Sequence, residues 1–377
     1  MFLIFYFLSS FSKSSENPFQ PDSIEQIPSL DQFSNNRISI QSNENDLTCE
    51  NGKRCKHINV RGTPLFVSVT DSTFQDIHNF DSTETDGDGG AIYIKNYYLY
   101  CEQTTFNKCS CSAQGGALFI KLDLAAFEDE INCTVVNCTF SSNEALGGGA
   151  VFAHGTTGRH FEFDKCVFQD NKSTYEGDTE LPTTIQGGGA IFLNNPNGFI
   201  VDCTFIYNTG IGADITLFFG GGLQPKQGIV INNSVFYFNG YDSNPSSFYI
   251  SKPYGEYSPM SVTVHNCIFT GQIKGEKSHY LDCNEDDTNP NKVLLSNVTF
   301  CESSEGQAFQ GDKSKYIDEN SVISYVCDQY DLPDYPIIDP PTKNEDVTSS
   351  ETEYLPPTET QSESDEPDDA CVSGKRC

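Results

Sequence analysis

One short pattern recurs eight times in this chain: a small residue, any residue, then Phe, often with Asn three residues later. The Phe positions are Phe74, Phe106, Phe140, Phe168, Phe205, Phe236, Phe269 and Phe300, at steps of 28 to 37 residues. Four of the intervals also carry a glycine signature: Gly89-Gly90-Ala91-Ile92, Gly115-Gly116-Ala117-Leu118, Gly148-Gly149-Ala150-Val151 and Gly188-Gly189-Ala190-Ile191. Periodicity at this spacing marks stacked repeats, because so small a unit cannot bury its own apolar face and must stack on its neighbours.

The repeats share one strand frame. Cys138-Thr-Phe140, Cys166-Val-Phe168, Cys203-Thr-Phe205 and Cys267-Ile-Phe269 align, and the other repeats place Ser72, Thr104, Ser234 or Val298 where these have Cys. Side chains two apart lie on one face of a strand. The small residue and the Phe are therefore read as interior, and the Thr-rich alternate positions as exterior. Asn143, Asn171, Asn208 and Asn239 each follow their Phe by three. Asn tolerates the left-handed conformation of a corner, and stacked amides also form hydrogen-bonded ladders. Gly-Gly supplies a corner with free dihedrals and room for close approach. Ala91-Ile-Tyr-Ile94, Ala117-Leu-Phe-Ile120, Ala150-Val-Phe-Ala153 and Ala190-Ile-Phe-Leu193 then read as strands apolar on both faces. With no helical period, the fold expected is all-β: a solenoid of about eight parallel β-helix coils. A β-propeller is the competitor, but a blade needs four strands in about 40 to 45 residues, and these intervals are mostly shorter.

The chain divides into four parts. Residues 1–12 hold an apolar run from Phe2 to Leu8, with Ser10 and Ser12 at the small positions of a cleavage site, and are expected to be a signal peptide. Residues 13–58 are polar and are expected to cap the solenoid, whose open end would otherwise expose a strand edge. Residues 59–327 hold the repeats. Residues 328–377 are rich in Pro, Asp, Glu, Ser and Thr and are expected to be a disordered acidic tail. No apolar run is long enough for a transmembrane helix. The formal net charge of −31 opposes binding to nucleic acid and to anionic membranes. Fifteen cysteines, the apolar leader and sequons at Asn132, Asn137, Asn171, Asn232 and Asn297 favour a secretory, oxidising route. Two Cys-x5-Cys loops, Cys49 to Cys55 and Cys371 to Cys377, are the disulfide candidates, with pairing inside each loop or elsewhere left open.

Paired Gly-Gly-Ala-Ile/Leu/Val and Phe-x-x-Asn motifs resemble the polymorphic outer membrane protein repeats of chlamydial surface autotransporters and of protist surface families such as those of trichomonads. The resemblance spans about residues 65 to 305, and Gly147-Gly-Gly-Ala-Val-Phe152 and Cys138-Thr-Phe-Ser-Ser-Asn143 are close matches. It implies a right-handed parallel β-helix of the pectin-lyase-like kind, with a role at the cell surface in adhesion or host contact. No membrane β-barrel follows these repeats, unlike in the bacterial members. Later repeats decay: Gly220-Gly-Gly-Leu223 lacks the Ala, and those around Phe269 and Phe300 lack the glycines.

The chemistry expected is sparse. Glycoside hydrolysis needs two carboxylates across the scissile bond. Asp129-Glu130, Asp286-Asp287 and Asp368-Asp369 pair acids, but the motifs of polygalacturonase-like chains are missing, with Ala153-His154-Gly155 the nearest approach to Gly-His-Gly. Basic residues are read as forming no frame across repeats. Asp86-Gly-Asp88-Gly-Gly90 reads as a turn rather than a calcium loop, and the six histidines share no metal spacing. No catalytic, cofactor or metal residue is therefore expected. The expected function is a secreted or cell-surface, non-enzymatic protein that meets a glycan or protein ligand. The alternatives are a carbohydrate-active enzyme, which would show an acid cluster on one flank of the coils, and a structural coat protein. Tyr93, Phe119, Phe152 and Phe192 form a possible binding stripe if the aliphatic face of the glycine-led strands is interior. Asn137 and Asn297 are expected to face outward and carry glycan, with Asn132 and Asn232 as further candidates and Asn171 a poor one.

Overall fold

The computed structural model of the 377-residue chain describes residues 37–41, 66–79, 88–95, 98–122, 132–155, 160–174, 187–218, 227–240, 246–251, 260–273, 279–283, 293–301, 308–309 and 317–327. The expected leader, the expected tail and both Cys-x5-Cys loops lie outside the described residues.

Each coil runs through up to four short strands, and every strand pairing between coils is parallel. The first ladder stacks Phe66–Thr70, Tyr98–Glu102, Asn132–Val136, His160–Asp164, Asn197–Val201, Gln227–Asn232, Met260–His265 and Val293–Phe300. Arg37–Gln41, from the segment expected to be the cap, adds a parallel strand ahead of it. The second ladder carries the Phe positions, from Thr73–Gln75 to Ile268–Ile273. A third, short ladder joins His78–Asn79, Ser110–Cys111, Glu144–Ala145 and Lys172–Ser173, and a bridge from Lys172 to Thr209 extends it. The fourth is a seven-stranded, glycine-led sheet: Ile92–Lys95, Leu118–Leu122, Val151–Gly155, Ile191–Asn194, Ile215–Phe218, Ser246–Ser251 and His279–Cys283. Eight coils is thus the count of Phe rungs. Among the described residues, the short ladder closes the coil over five of them.

Why each coil bends where it does is written in single residues. Between the first two ladders, the residue before the small slot has positive φ: Asp71, Gln103, Asn137, Lys165, Asp202, Asn233, Asn266 and Asn297, with φ of 48–56°. Where the slot residue carries a donor, it closes the corner by donating to the carbonyl two positions back. Ser72 Oγ reaches Thr70 O at 2.8 Å, Cys138 Sγ reaches Val136 O at 3.3 Å and Cys203 Sγ reaches Val201 O at 3.2 Å. Ser, Thr and Cys are interchangeable here because each is small and carries one donor.

At the second corner the structure corrects the expected role of Asn. The left-handed residue is the one before the slot: Ser142, Asp170 and Tyr207 before Asn143, Asn171 and Asn208, and Asp76 and Lys108 before Ile77 and Cys109, while each Asn itself is buried. Asn171 Nδ2 donates to Phe140 O at 3.0 Å and to Asn208 Oδ1 at 2.9 Å, and Asn143 Nδ2 donates to Phe106 O and Asn171 Oδ1 in the same way. One amide thus ties its own coil to both neighbours. Cys109 fills the same slot one coil earlier, and its thiol turns to Phe74 O at 3.6 Å. The Asn239 side chain lies outside the described residues.

The glycine signature has two separate causes. Gly148 sits at φ +62°, where a Cβ is strained. Gly149 is required by distance: a Cβ there would meet Gly189 O of the next coil at 2.2 Å.

Inside the coils the eight Phe rings stack face to face, with centroids 4.5–5.0 Å apart from Phe74 to Phe300. None is more than 3% exposed. Coil spacing of about 4.8 Å sets this separation, so the backbone period and the ring stack reinforce each other. Phe168→Ala or Phe205→Ala should each destabilise the protein by about 3–5 kcal/mol through lost burial and a cavity. Equilibrium denaturant unfolding measures this, and a loss under about 1 kcal/mol would refute the shared interior frame.

Candidate functional site

Membership of the main core decides which face of the glycine-led strands is interior. Ile92, Leu118, Val151 and Ile191 are at most 2% exposed and belong to the main core, together with Ile94, Ile120, Ala153 and Leu193. The intervening residues point outward in two columns. One column stacks Tyr93, Phe119, Phe152 and Phe192, with ring centroids 4.9–5.2 Å apart. The stripe therefore exists, but its expected exposure does not. Phe119, Phe152 and Phe192 are 1–2% exposed and form a second apolar cluster, with only Tyr93 and Phe218 half-buried at its ends. Phe119, Phe152 and Phe192 are therefore closed to a ligand as they stand.

The second outward column runs Lys95, Lys121, His154 and Asn194, in register from strand to strand. Lys95 is exposed and Lys121 and His154 are half-buried. Asn194 is 4% exposed, and its Oδ1 has no hydrogen-bond partner. The reading that basic residues form no frame is corrected here. The signal lay four residues after each Gly-Gly-Ala alanine, in the Lys, Lys, His and Asn of Ala91-Ile-Tyr-Ile-Lys95, Ala117-Leu-Phe-Ile-Lys121, Ala150-Val-Phe-Ala-His154 and Ala190-Ile-Phe-Leu-Asn194.

The first ladder presents the acids. Tyr100, Thr134, Glu162 and Phe199 form one outward row and Glu102, Val136, Asp164 and Val201 the next. Tyr100 Oη donates to Glu102 at 2.9 Å, and Thr134 Oγ1 donates to Glu162 at 3.4 Å. Burial first, and then the charge of Asp164, push the Glu162 carboxyl above its ordinary range. Neither Glu162 nor Asp164 belongs to the acid pairs read from the sequence, since they are separated by one residue and share a face only because the segment is a strand. The Asp88 of the glycine turn accepts from the Gln114 backbone N–H at 3.1 Å, as a structural turn residue does. Among the described residues, no group of three His, Cys, Asp or Glu side chains could hold a metal ion.

The Asn ladder ends on a carboxylate. Asn208 Nδ2 donates to Asp214 Oδ1 at 2.9 Å, and Ser247 Oγ donates to Asp214 Oδ2. Asp214 is fully buried, and desolvation pushes it up to about 7 against the lowering effect of these two bonds. The thiols are structural in the same sense. Cys101 and Cys138 stand 3.6 Å apart in the core, and burial pushes Cys109, Cys111 and Cys267 up to about 12. The disulfide present among the described residues is Cys301–Cys327, which ties the last Phe rung to the segment after Val322–Ser324. No spacing rule pointed to it.

The sequons separate by slot. Asn137 and Asn297 occupy the left-handed first corner and are exposed, and Asn171 is buried in the amide ladder. Asn232 is half-buried, and the side chain of Asn132 lies outside the described residues. The family model described as right handed beta helix region matches residues 129–278. No curated protein and no solved structure matches the chain.

Two predictions follow from these geometries. In a eukaryotic secretory host, mass spectrometry should find glycan on Asn137 and Asn297 and none on Asn171; occupancy at Asn171 alone would reverse the assignment of faces. Asp214 has a folded pKa near 7 against an ordinary value of 3.8. Stability associated with its neutral form is fully present below pH 4 and is lost as pH rises through about 7. The loss is on the order of 4 kcal/mol. Asp214→Asn should flatten this part of the stability–pH curve, and an unchanged slope between pH 4 and 7 would show that Asp214 titrates normally.

Proposed function

We propose that this chain is a secreted or cell-surface, non-enzymatic β-helix protein that makes contact with a surface glycan or a protein ligand. The observation that carries the reading is the division of the sequons. The two that sit on exposed corners have their middle residue, Cys138 or Val298, buried in the core slot, so glycan can be accepted with no loss of packing. That arrangement suits a chain that passes through a secretory route. The right-handed β-helix supports the same reading, because stacked coils offer long, regular outward columns. Repeats of the polymorphic outer membrane protein kind, which the sequence resembles, point to adhesion.

A carbohydrate-active enzyme is the second reading, and the Glu162–Asp164 face favours it. One carboxyl is held above its ordinary range beside a second on the same strand face, with Tyr100 and Glu102 within two coils. A coat protein is the third.

Localisation separates these readings most directly. Antibody labelling of intact cells should detect the protein, and surface proteolysis should remove it without lysis. Detection only after permeabilisation would refute the surface reading. Incubation of the purified chain with polysaccharides should release no reducing or unsaturated ends. Release that is abolished by Glu162→Gln would establish the enzyme instead.

A further inference from the structure

Four slot cysteines repeat one contact. Each thiol reaches the carbonyl of a first-ladder residue one coil earlier. Cys166 Sγ meets Val135 O at 3.4 Å, Cys203 Sγ meets Phe163 O at 3.5 Å and Cys267 Sγ meets Ile231 O at 3.7 Å. Cys138 Sγ does the same at 3.6 Å, but the residue it meets is Cys101. The two sulfur atoms stand 3.6 Å apart, and both residues are fully buried. Cys101 is also the exception in its own column. Its register neighbours are Val69 and Val135, and the column continues through Phe163 and Ile200 to Leu295 with no other cysteine. A core cysteine is ordinarily a small apolar filler, which accounts for Cys166, Cys203 and Cys267. It does not account for the one thiol of this column lying against a slot that also holds a thiol.

We propose that Cys101 and Cys138 join as a disulfide that ties the second coil to the third. Each thiol gives up one proton and one electron, and one S–S bond forms. A disulfide oxidant such as glutathione disulfide takes both electrons and both protons and leaves as two thiols. The first thiolate attacks the oxidant to give a mixed disulfide, and the second then displaces the remaining oxidant thiol. Bonding distance is near 2.05 Å, so the sulfurs need approach by only about 1.5 Å. Both thiols are buried, so the oxidant meets them while the third coil is still docking, and the finished bond is shielded from reductants. The sequence separation is 37, and closing so long a loop restricts the unfolded chain. With Cys301–Cys327 after the last Phe rung, the stack has one covalent tie near each end. The bond is a property of the coils and not of the route the chain takes, so it stands apart from the surface-contact reading.

Peptide mapping of the full chain tests the pair. The purified protein is unfolded under reduction, folded again in a buffer of glutathione and glutathione disulfide, denatured in acid and alkylated at every remaining thiol. Mass spectrometry without reduction should find tryptic peptides joined through Cys101 and Cys138, which Lys108 and Lys121 place in separate fragments. Cys166, Cys203 and Cys267 should carry the alkyl label. Cys133 shares the second fragment, so two variants assign the bond: Cys133→Val should keep the link and Cys138→Ser should abolish it. Ser fills the slot at Ser72 and Ser234, so Cys138→Ser suits the coil. In the oxidised state its melting temperature should fall several degrees below that of the unaltered chain, and the gap should narrow by at least half when both are folded under a reductant. Alkyl label on both Cys101 and Cys138 of the unaltered chain, or a bond from Cys138 to Cys133 or Cys166 in place of Cys101, would overturn the proposal.

Discussion

Everything in this fold depends on hydrogen bonding between successive coils in strict parallel register. That register places each residue over its counterpart one repeat later, so any residue chosen must tolerate a copy of its own kind at about 4.8 Å. Phe does so by stacking its ring, and Asn by passing an amide hydrogen bond to the next carbonyl. Second-position glycine does so by having no Cβ to strike the next backbone. Lysine does not, which is why its appearance in such a column carries information.

The interior and the outward surface were legible to different degrees. Interior positions repeat because burial and spacing impose the same demand on every coil, so Phe74 to Phe300 and the small slot could be read from one frame. Of the two roles read for the Asn positions, the stacked-amide ladder stands and the left-handed corner passes to the preceding residue. A residue that favours left-handed backbone was placed at the corner, whereas a buried side chain there has a stronger demand, the need to satisfy its amide. Asp76, Ser142 and Asp170, which hold the corner, are ordinary polar residues with no shared identity. On the glycine-led strands both faces are apolar, and alternation alone could not tell which was inside. The aliphatic face lies in the main core, and the aromatic face forms a cluster of its own. The Lys–Lys–His–Asn column went unread because three different identities share one register. Cys301–Cys327 joins residues 26 apart in sequence, and only the return of the chain onto the last coil makes them neighbours.

The outward columns obey a different rule from the inward ones. Outward residues are free to vary, so a set that stays chemically related over several coils stands out. Two such sets occur: the acids and Tyr100 on the first ladder, and the cations beside the aromatic stack. The acids are bonded to neighbours on their own sheet through Tyr100 and Thr134. The cation column passes through Asn194, whose Oδ1 has no hydrogen-bond partner, to Phe218 on the next strand.

The tripeptide at the first corner has a consequence for how such a molecule is clothed. Asn in left-handed backbone, a small buried residue and an outward Thr make up both a coil corner and a glycosylation signal, so turning the chain and marking it for sugar draw on the same three positions. Asn137 and Asn297 fall on the same corner, five coils apart, or about 24 Å along the axis. Glycan attached there would form a fringe along one edge. In each coil that edge is separated from the glycine-led sheet by the second ladder and, where it is present, the short one. Glycan on both corners would thus crowd one edge of the solenoid and leave the edges formed by the other ladders free of it.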